Sequence, residues 1–354
     1  MGATLTIDTQ GLLDNLRTVH RLAHDRGVDI SVVTKALTGH RDLVELLVNS
    51  GATSICESHL ENLKKWESLT CEKWLIRSAL PGEAEDTVRL ADVSLVSESM
   101  TLSHLSQQAV RQDRTHKVVI MVELGELREG CLGDELGHLA TWCHELPGIE
   151  LYGIGANLSC LHDIVPDVVN MNLLATYAES IETHLGISLP VISGGSSSAL
   201  RMLVDGTLPK RINHLRLGEA ILLGNIVCYD EPYPSARQDI FTLSAGIIEV
   251  KDKPSLPYGQ RAPGRVAVGE DPTLSDQGIR RRALVGIGKQ DVRSEYLVAL
   301  DPQITILGDT SDCLVADVTD CDRDYAVGDR VDFRLKYSGL VTAMASVYVT
   351  KELV

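Results

Sequence analysis

Lys35 follows the apolar run DISVVT at residues 29–34, where a buried strand would end. A lysine amine held at such a position can form a Schiff base with a carbonyl compound. Two later segments suit a phosphate group, because glycine allows close approach of the backbone and serine offers a hydroxyl donor. These segments are GGSSS at residues 194–198 and RLGE at residues 216–219. Together they predict a lysine and a phosphate-binding loop pair in one site.

Eight short apolar runs alternate with segments whose apolar residues recur at helical spacing, such as RDLVELLVNSG at residues 41–51. This alternation predicts a (β/α)8 TIM barrel. In that fold the active site lies at the carboxyl ends of the strands, and the loops after strands seven and eight bind phosphate. Lys35 comes at the end of the first run, GGSSS follows the seventh, and RLGE comes at the end of the eighth. The eight runs cover residues 29–34, 53–56, 73–78, 92–96, 117–123, 150–156, 190–193 and 214–217.

The chain has 354 residues, roughly 100 more than a barrel needs, which predicts a second domain. The segment DEPYPSARQD at residues 230–239 carries two prolines and no apolar periodicity, as a linker does. We predict a barrel at residues 1–235 and a smaller, mostly β domain at residues 236–354, with the first few residues as candidates for pairing with that domain. Residues 252–277 are interpreted as a long or partly disordered excursion. The β-type runs cover residues 240–250, 282–287, 303–307, 313–318 and 330–335.

The acidic composition limits the partners of the chain. Its formal net charge is −16 and its pI is about 5.1, which argues against binding to nucleic acid or to an anionic membrane. No apolar run is long enough to span a bilayer, and MGATLTIDTQ lacks the features of a signal peptide. Eight cysteines without a CxxC pair favour reduced thiols and a cytoplasmic location. The histidines lack metal-ligand spacing, so no metal site is predicted.

Seven fragments of the chain follow one another in the order of a known family. They are ATLTIDTQGLLDNLRTV (3–19), SVVTKAL (31–37), VELGELREG (122–130), GIGANLS (153–159), SGGSSS (193–198), LRLGEAILLG (215–224) and ILGDTSDCLVADV (306–318). Each fragment alone is weak evidence, but seven in register are strong. On these fragments the chain resembles the fold-type III pyridoxal-phosphate (PLP) enzymes of the alanine racemase group over nearly its whole length, and most closely the ornithine racemase branch.

The resemblance implies that Lys35 carries PLP and moves a proton on one face of the substrate Cα. Arg216 matches the family arginine that faces the pyridine nitrogen, and a guanidinium does not lend its proton. Arg128 matches an arginine near the phenolic oxygen of the cofactor. The implied cofactor-binding set is Lys35, Arg128, Asn157, Ser196, Ser197, Arg216, Gly218, Glu219 and Tyr337.

Two positions depart from the family pattern, and a third matches it. Asn157 stands where alanine racemases have a ring-stacking histidine, and Met121 stands where many of them have a lysine that can be carbamylated. Tyr337, in RLKYSGL, resembles a late tyrosine near the phosphate. A lone tyrosine is equally expected as a core or rim residue.

The second catalytic base is the largest departure from the family pattern. Alanine racemases use a tyrosine of the partner subunit, in a motif of the form IGYADG, whereas residues 287–291 here read IGKQD. Lys289 is therefore a candidate base, or else a charged rim residue beside Asp291. Ser311, Asp312 and Cys160 are the other candidates, and the sequence does not choose among them. Asp312 also matches an amine-binding aspartate of the related ornithine decarboxylases.

The resemblance implies a PLP-dependent amino-acid racemase that acts on ornithine or another basic amino acid, as a homodimer with shared active sites. A decarboxylase of the same fold is the nearest alternative. Decarboxylases of this group pair the pyridine nitrogen with an acid, so Arg216 argues against that alternative. A non-catalytic PLP-homeostasis protein is another alternative, but those proteins are single barrels and lack a second domain.

Overall fold

The computed structural model describes residues 2–229, 231–260, 262 and 275–354. Its strands are β1 (Thr4–Ile7), β2 (Asp29–Val33), β3 (Ser54–Glu57), β4 (Glu72–Leu75), β5 (Val93–Val96), β6 (His116–Met121), β7 (Ile149–Gly155), β8 (Val191–Ser193), β9 (His214–Leu217), β10 (Asn225–Ile226), β11 (Glu231–Pro232), β12 (Phe241–Pro254), β13 (Ile279–Val285), β14 (Leu297–Ala299), β15 (Thr305–Asp309), β16 (Leu314–Asp317), β17 (Arg330–Leu335) and β18 (Thr350–Leu353).

The α-helices are α1 (Thr9–His24), α2 (Arg41–Asn49), α3 (Leu60–Lys65), α4 (Ala84–Leu90), α5 (Ser99–Arg111), α6 (Gly133–Glu145), α7 (Val168–Leu185), α8 (Leu200–Asp205), α9 (Glu219–Leu223) and α10 (Tyr337–Ala345). None of the helices in the described part of the chain combines the length and apolarity needed to cross a membrane.

Strands β2 to β9 form a closed parallel barrel in chain order, with an α-helix after each strand. Each of the eight predicted runs overlaps one of these strands, with ends that differ by a few residues, so the predicted (β/α)8 fold is confirmed. Strands β3, β5 and β9 are buried along their whole length. Parallel strands covered by helices on one side and by the barrel core on the other are apolar on both faces, which is why they appeared in the sequence as continuous runs.

The barrel interior contains a polar side chain held among aromatic ones. The imidazole of His214 stacks on Trp74 with ring centroids 4.7 Å apart. Its Nε2 lies 2.8 Å from the Ser31 hydroxyl and its Nδ1 lies 2.9 Å from the Ser193 hydroxyl. Gly153 lets β7 and β8 approach closely, because a Cβ there would lie 1.9 Å from the Val191 carbonyl oxygen.

The second compact unit is a mixed sheet built from the two ends of the chain. Its strands follow the order β14-β17-β12-β13-β16-β15, and β1 joins the sheet beside β12 and β18. Strand β1 pairs antiparallel with β12 and parallel with β18. The described residues of this unit belong to the ranges 2–8 and 241–354, and the barrel unit comprises residues 9–240. We call them the β unit and the barrel unit. The domain limits predicted from the sequence stay a prediction.

Two segments differ from what their composition suggests. The described part of the proposed linker at 230–239 is ordered in part, since β11 pairs with β10 and Tyr233 is buried. The Asn15 amide accepts a hydrogen bond from the Arg237 backbone N–H (2.7 Å) and donates one to its carbonyl (2.8 Å). Most of the excursion predicted at residues 252–277 lies outside the described residues. Helix α10 has no counterpart among the sequence predictions.

Candidate active site

Lys35 lies two residues after the end of β2, at the carboxyl end of the barrel strands. The preceding Thr34 is buried, and its backbone N–H and its hydroxyl both bind the carbonyl oxygen of Cys56, at 2.9 Å and 3.1 Å. Lys35 then opens a short 3-10 helix in which Ala36 and Leu37 are buried while Lys35 is half-buried. The neighbours of Lys35 therefore anchor its backbone to β3 and to the core, and its amine keeps access to solvent.

Arg216 places a fixed cation inside the same end of the barrel. Its side chain is only 4% exposed. The guanidinium donates to the hydroxyl of Ser193 and to the carbonyl oxygen of Ala156, the latter at 2.8 Å. Burial lowers the pKa of Arg216, but an arginine stays protonated throughout the working pH range of a protein. A buried, doubly hydrogen-bonded guanidinium has little freedom to move.

A chain of hydrogen bonds continues from Arg216 into the barrel. The hydroxyl of Ser193 is hydrogen-bonded to both Arg216 and His214, and His214 is in turn hydrogen-bonded to the hydroxyl of Ser31. Burial, helped by the nearby charge of Arg216, lowers the pKa of His214 to about 3. The imidazole is therefore neutral at neutral pH, so His214 adds no positive charge near Arg216.

The serine loop and the loop after β9 meet, as the two phosphate-binding segments were predicted to do. The Ser197 hydroxyl accepts hydrogen bonds from the backbone N–H groups of Gly218 and Ala220, both at 3.1 Å. Ser196 is half-buried and its hydroxyl lies 3.1 Å from that of Ser198. Glu219 is the first residue of α9 and follows Gly218 directly.

Two glycines shape the region where the serine loop meets the loop after β9. Gly195 has φ = 117°, a left-handed backbone that favours glycine. A Cβ at Gly218 would lie 3.0 Å from the Cβ of Val33 in β2. The loop after β9 therefore approaches the strand that ends before Lys35, and this contact links the serine loop, Gly218 and the Lys35 segment.

Arg128, Asn157 and Cys160 lie together in the loops after β6 and β7. Asn157 Nδ2 donates to Cys160 Sγ at 3.2 Å and to Glu129 Oε1 at 3.4 Å. Arg128 is exposed and its guanidinium donates to Glu129 at 3.1 Å. Burial has the largest effect on the pKa of Arg216, and Glu129 and Arg128 are near enough to affect it as well. These side chains thus surround the same end of the barrel as Arg216.

Glu126 and Glu129 are residues of this region that the sequence interpretation did not select. Glu126 is buried and its carboxylate binds the loop after β7. Glu129 is the acceptor that joins Arg128 to Asn157. Both lie in the fragment VELGELREG, at residues 122–130. Two carboxylates in a matched motif were the available signal.

Lys289, Ser311 and Asp312 lie together in the β unit. The Lys289 backbone N–H donates to the Thr310 carbonyl oxygen at 2.9 Å, and a Cβ at Gly288 would lie 2.5 Å from the Asp312 nitrogen. Lys289 Nζ is 3.5 Å from an Asp309 oxygen. Its ion-pair partner is thus Asp309 and not the Asp291 considered from sequence, and Asp291 instead accepts a hydrogen bond from the hydroxyl of Ser346 (2.6 Å).

Asp312 and Tyr337 complete the β-unit candidates. The hydroxyls of Ser311 and Thr310 donate to Asp312 Oδ1 at 3.0 Å and 3.2 Å, and these bonds lower the pKa of Asp312. Tyr337 is half-buried and is the first residue of α10. In the described part of the chain, no group of three or more His, Cys, Asp or Glu side chains is arranged to hold a metal ion.

Comparisons with known proteins place the chain among racemases. It is 37% identical over 350 residues to the ornithine racemase of Acetoanaerobium sticklandii, covering 99% of both chains. It is 33% identical over 349 residues to the lysine racemase of Thermotoga maritima, covering 98% of this chain and 97% of that one.

Solved structures agree on the fold. The alanine racemase of Bartonella henselae with covalently bound pyridoxal phosphate matches with a TM-score of 0.75 at 15% identity, over 100% of both chains. The alanine racemase of Corynebacterium glutamicum matches with a TM-score of 0.75 at 16% identity, again over 100% of both chains.

Residues 7–225 match the family described as alanine racemase, N-terminal domain. The chain therefore belongs to the alanine racemase N-terminal domain family.

Proposed function

We propose that this protein is a PLP-dependent racemase that interconverts the L- and D-enantiomers of a basic amino acid, ornithine or lysine. The observation that carries the proposal is the common location of Lys35, the serine loop and buried Arg216 at the carboxyl end of the barrel strands. The two full-length relatives are named as racemases of ornithine and of lysine, which supports this substrate class.

The residues present fit PLP. A phosphate group is recognised by backbone N–H groups and hydroxyls that converge on a glycine-rich turn. Here the left-handed backbone of Gly195 and the close packing of Gly218 on Val33 form such a turn, and Ser196 and Ser197 add hydroxyls. The half-buried amine of Lys35 follows the adjacent strand and suits the cofactor's aldehyde. Ser196, Ser197, Gly218, Glu219 and Lys35 are therefore assigned to hold the cofactor.

PLP, when bound, supplies an electron sink for the charge that develops as the Cα proton leaves. Arg216 is assigned to face its ring nitrogen, where a guanidinium donates a hydrogen bond without giving up the proton. Arg128 and Asn157 are assigned to the side of the ring that carries the phenolic oxygen. Tyr337 remains a candidate phosphate contact. Lys35 Nζ accepts and returns the proton on one face of Cα.

Racemisation needs a second acid–base group for the opposite face. We assign this role to Lys289, whose ammonium beside Asp309 has a proton to deliver. Ser311, Asp312 and Cys160 remain the alternatives. Because Lys289 belongs to the β unit, we infer a homodimer in which the β unit of one copy closes the barrel mouth of the other, and isologous dimers are the commonest closed oligomers.

Substrate choice is assigned to a carboxylate that binds the terminal ammonium of ornithine or lysine. Glu129 is the first choice, because it lies beside Asn157 and Arg128 in the barrel and its side chain keeps 23% of its surface exposed. Asp312 is the second choice, since it is exposed and lies beside Lys289.

Chiral chromatography after incubation with a panel of L-amino acids tests the function. The protein loaded with PLP is expected to produce D-ornithine or D-lysine and to leave small neutral amino acids largely unconverted. Borohydride reduction followed by peptide mapping should place the pyridoxyl group on Lys35. Release of carbon dioxide without a D-amino acid would instead favour the decarboxylase, and absence of any turnover with PLP bound would favour the non-catalytic alternative.

A further inference from the structure

Glu126 joins two loops at the carboxyl end of the barrel strands. The first loop, residues 122–132, follows β6 and contains Glu126 itself; the second, residues 156–167, follows β7. The Glu126 side chain is almost fully buried, at 1% exposure. Its carboxylate accepts five backbone hydrogen bonds from the second loop, donated by Ser159 (2.9 Å), Cys160 (2.6 Å), Leu161, His162 (2.9 Å) and Ile164 (3.2 Å). We call this arrangement the Glu126 clasp.

The clasp depends on a negative charge. Burial by itself raises the pKa of Glu126, but the backbone hydrogen bonds from Leu161, His162, Cys160 and Ser159 outweigh it and lower the pKa to about 2. The carboxylate is therefore ionised throughout the pH range in which enzymes work. Successive backbone N–H groups that converge on one anion form a strong and directional site.

The second loop also binds back to the first. The imidazole of His162 donates from Nδ1 to the carbonyl oxygen of Glu126 at 2.7 Å. Leu127, Ser159 and Asp163 have φ values of 54°, 61° and 55°, a left-handed backbone that is costly for residues other than glycine. Such conformations persist only where surrounding contacts stabilise them, and the hydrogen bonds of the Glu126 clasp are such contacts.

The two clasped loops carry the polar groups assigned to the cofactor and the substrate. Arg128 and Glu129 belong to the first loop, and Asn157 and Cys160 belong to the second. The hydrogen bond from Asn157 to Glu129 crosses between the loops at 3.4 Å. The relative position of these four side chains is therefore set by how the loops are held together, and Glu126 makes most of the described hydrogen bonds that do so.

We propose that Glu126 is a positioning residue, which fixes Asn157 and Cys160 against Glu129 and Arg128. This inference rests on the proposed racemase function for its catalytic consequence. Glu126 is itself buried within the first loop and acts through Asn157, so its loss changes turnover only by moving that side chain.

The first test uses Glu126→Gln. The amide keeps the shape of the side chain but turns an N–H₂ group toward backbone N–H donors, so the clasp opens. We expect kcat/KM for ornithine to fall between about tenfold and about 100-fold, the usual cost of a small misplacement. Glu182→Gln is the matched control, because Glu182 also binds a loop through its carboxylate, accepting from the Leu189 N–H (2.7 Å) and from Arg211, but at the amino end of β8. It should leave kcat/KM within about twofold.

A double-mutant cycle separates positioning from general destabilisation. If Glu126 acts through Asn157, Glu126→Gln combined with Asn157→Ala should be no worse than the more damaging single change. Glu182→Gln combined with Asn157→Ala should show only the effect of Asn157→Ala. Multiplicative losses for the Glu126 pair, or equal losses for Glu126→Gln and Glu182→Gln, overturn the proposal.

A further measurement does not require turnover or cofactor. In the protein without added PLP, Ellman's reagent should modify Cys160 several-fold faster in Glu126→Gln than in the unchanged protein, and backbone amides of residues 159–164 should exchange faster. Cys71, near the amino end of β4, serves as the internal reference and should not change. These readouts also decide the matter if the protein proves not to be a racemase, since an unchanged Cys160 rate overturns the clasp whatever the reaction.

Should Glu126→Gln fail to fold, His162→Ala replaces it. That change removes the return hydrogen bond and leaves the carboxylate in place, so both Cys160 labelling and kcat/KM should shift in the same direction by a smaller factor. No change in either measurement overturns the proposal.

Discussion

Arg216 in the barrel unit and Lys289 in the β unit are both basic residues assigned to the proposed active site, Arg216 to the cofactor ring and Lys289 to the substrate Cα, yet their surroundings differ. Arg216 is 4% exposed and donates to Ser193 and Ala156. The side chain of Lys289 is 52% exposed, and its ammonium has one described ion-pair partner, Asp309, at 3.5 Å. Burial and hydrogen bonds therefore hold the Arg216 side chain in place, whereas the Lys289 side chain lies at the surface of the β unit and forms an ion pair with Asp309.

The carboxylates show the same contrast. Glu126 is buried and binds five backbone groups of another loop. Asp312 is exposed and accepts hydrogen bonds from Ser311 and Thr310, its immediate neighbours. Contacts between sequence neighbours shape a loop locally, while contacts between distant loops determine the geometry of a site.

This difference is what a shared active site would require. A group that works in its own chain can be buried and preorganised there, which lowers the cost of binding and catalysis. A group that works in a second copy must remain on the surface of its own chain. The exposed Lys289, Ser311 and Asp312 therefore support the proposed dimer, and the buried Arg216 supports a preformed cofactor site in each barrel.

Replacing Lys35 by alanine is expected to have the largest effect and tests the barrel half of the comparison. Racemisation should fall by about 1,000-fold or more, because one residue serves both as the covalent anchor and as a base. PLP should still bind, held by the serine loop and Arg216. Absorbance titration with PLP and chiral assays measure the two effects, and Lys64→Ala, an exposed lysine of α3, is the control. Full activity of Lys35→Ala would remove Lys35 from the site.

Replacing Lys289 by alanine tests the β-unit half. If Lys289 is the second base, racemisation should fall by about 100-fold in both directions while PLP binding survives. Lys35 would still exchange the Cα proton of one enantiomer with solvent deuterium, which proton NMR measures. Lys251→Ala, an exposed lysine of β12, is the control.

Hybrid dimers test whether Lys35 of one copy and Lys289 of another act in the same active site. Mixing the inactive Lys35→Ala and Lys289→Ala proteins should restore part of the activity, because one of the two sites in a hybrid contains both lysines. A fully active monomer, or mixtures with no more activity than their components, would contradict the shared site. Near-normal rates in Lys289→Ala would transfer the base role to Ser311, Asp312 or Cys160.

The barrel was predictable because its strands carry their own signal. Each barrel strand is buried on both faces and is followed by a helix, so the sequence shows continuous apolar runs at regular intervals. Lys35, Ser197 and Arg216 were predictable for a related reason, since each lies at the end of such a run. Confirmation of the fold does not test their roles, which stay predictions.

The remaining features depend on distant contacts. Strand β18 forms beside β1, from the other end of the chain, and its four residues give little local signal. Helix α10 follows β17 directly and contains Gly339, a poor helix former. The Glu126 clasp requires Leu127 and Ser159 to adopt a left-handed backbone, which no sequence rule assigns to leucine. A sequence motif can therefore identify such a loop without predicting the hydrogen bonds that stabilise its conformation.

Replacing Glu129 by glutamine sharpens the comparison between two candidate carboxylates. Loss of a charge-assisted hydrogen bond to the substrate ammonium should raise KM for ornithine by about tenfold, with a smaller change in kcat. Steady-state kinetics with ornithine and with a neutral amino acid measure the selectivity. Asp134→Asn, an exposed carboxylate of α6, is the control. An unchanged KM would leave Asp312 as the candidate, to be tested by Asp312→Asn.

The two units should also differ in their response to mild acid. All eleven histidines lie between residues 20 and 214, in the barrel unit. Burial lowers the pKa of His214 to about 3 and that of His116 to about 4, below the ordinary value of 6.5. Between these values and 6.5 the unfolded chain binds more protons than the folded one, so stability decreases as the pH decreases.

Each of the two buried histidines should cost about 1 kcal/mol of unfolding free energy between about pH 6.5 and about pH 5.5. Urea unfolding at the two pH values, followed by tryptophan fluorescence, measures this loss, because Trp74 stacks on His214 and reports on the barrel. His214→Gln should reduce the pH dependence by about 1 kcal/mol over this interval, whatever it costs at neutral pH, since one of the proton sites whose pKa is lowered by folding is gone. His184→Gln, at an exposed position of α7, should leave the pH dependence unchanged. An unaltered slope in His214→Gln would mean that the imidazole is not held neutral in the barrel interior.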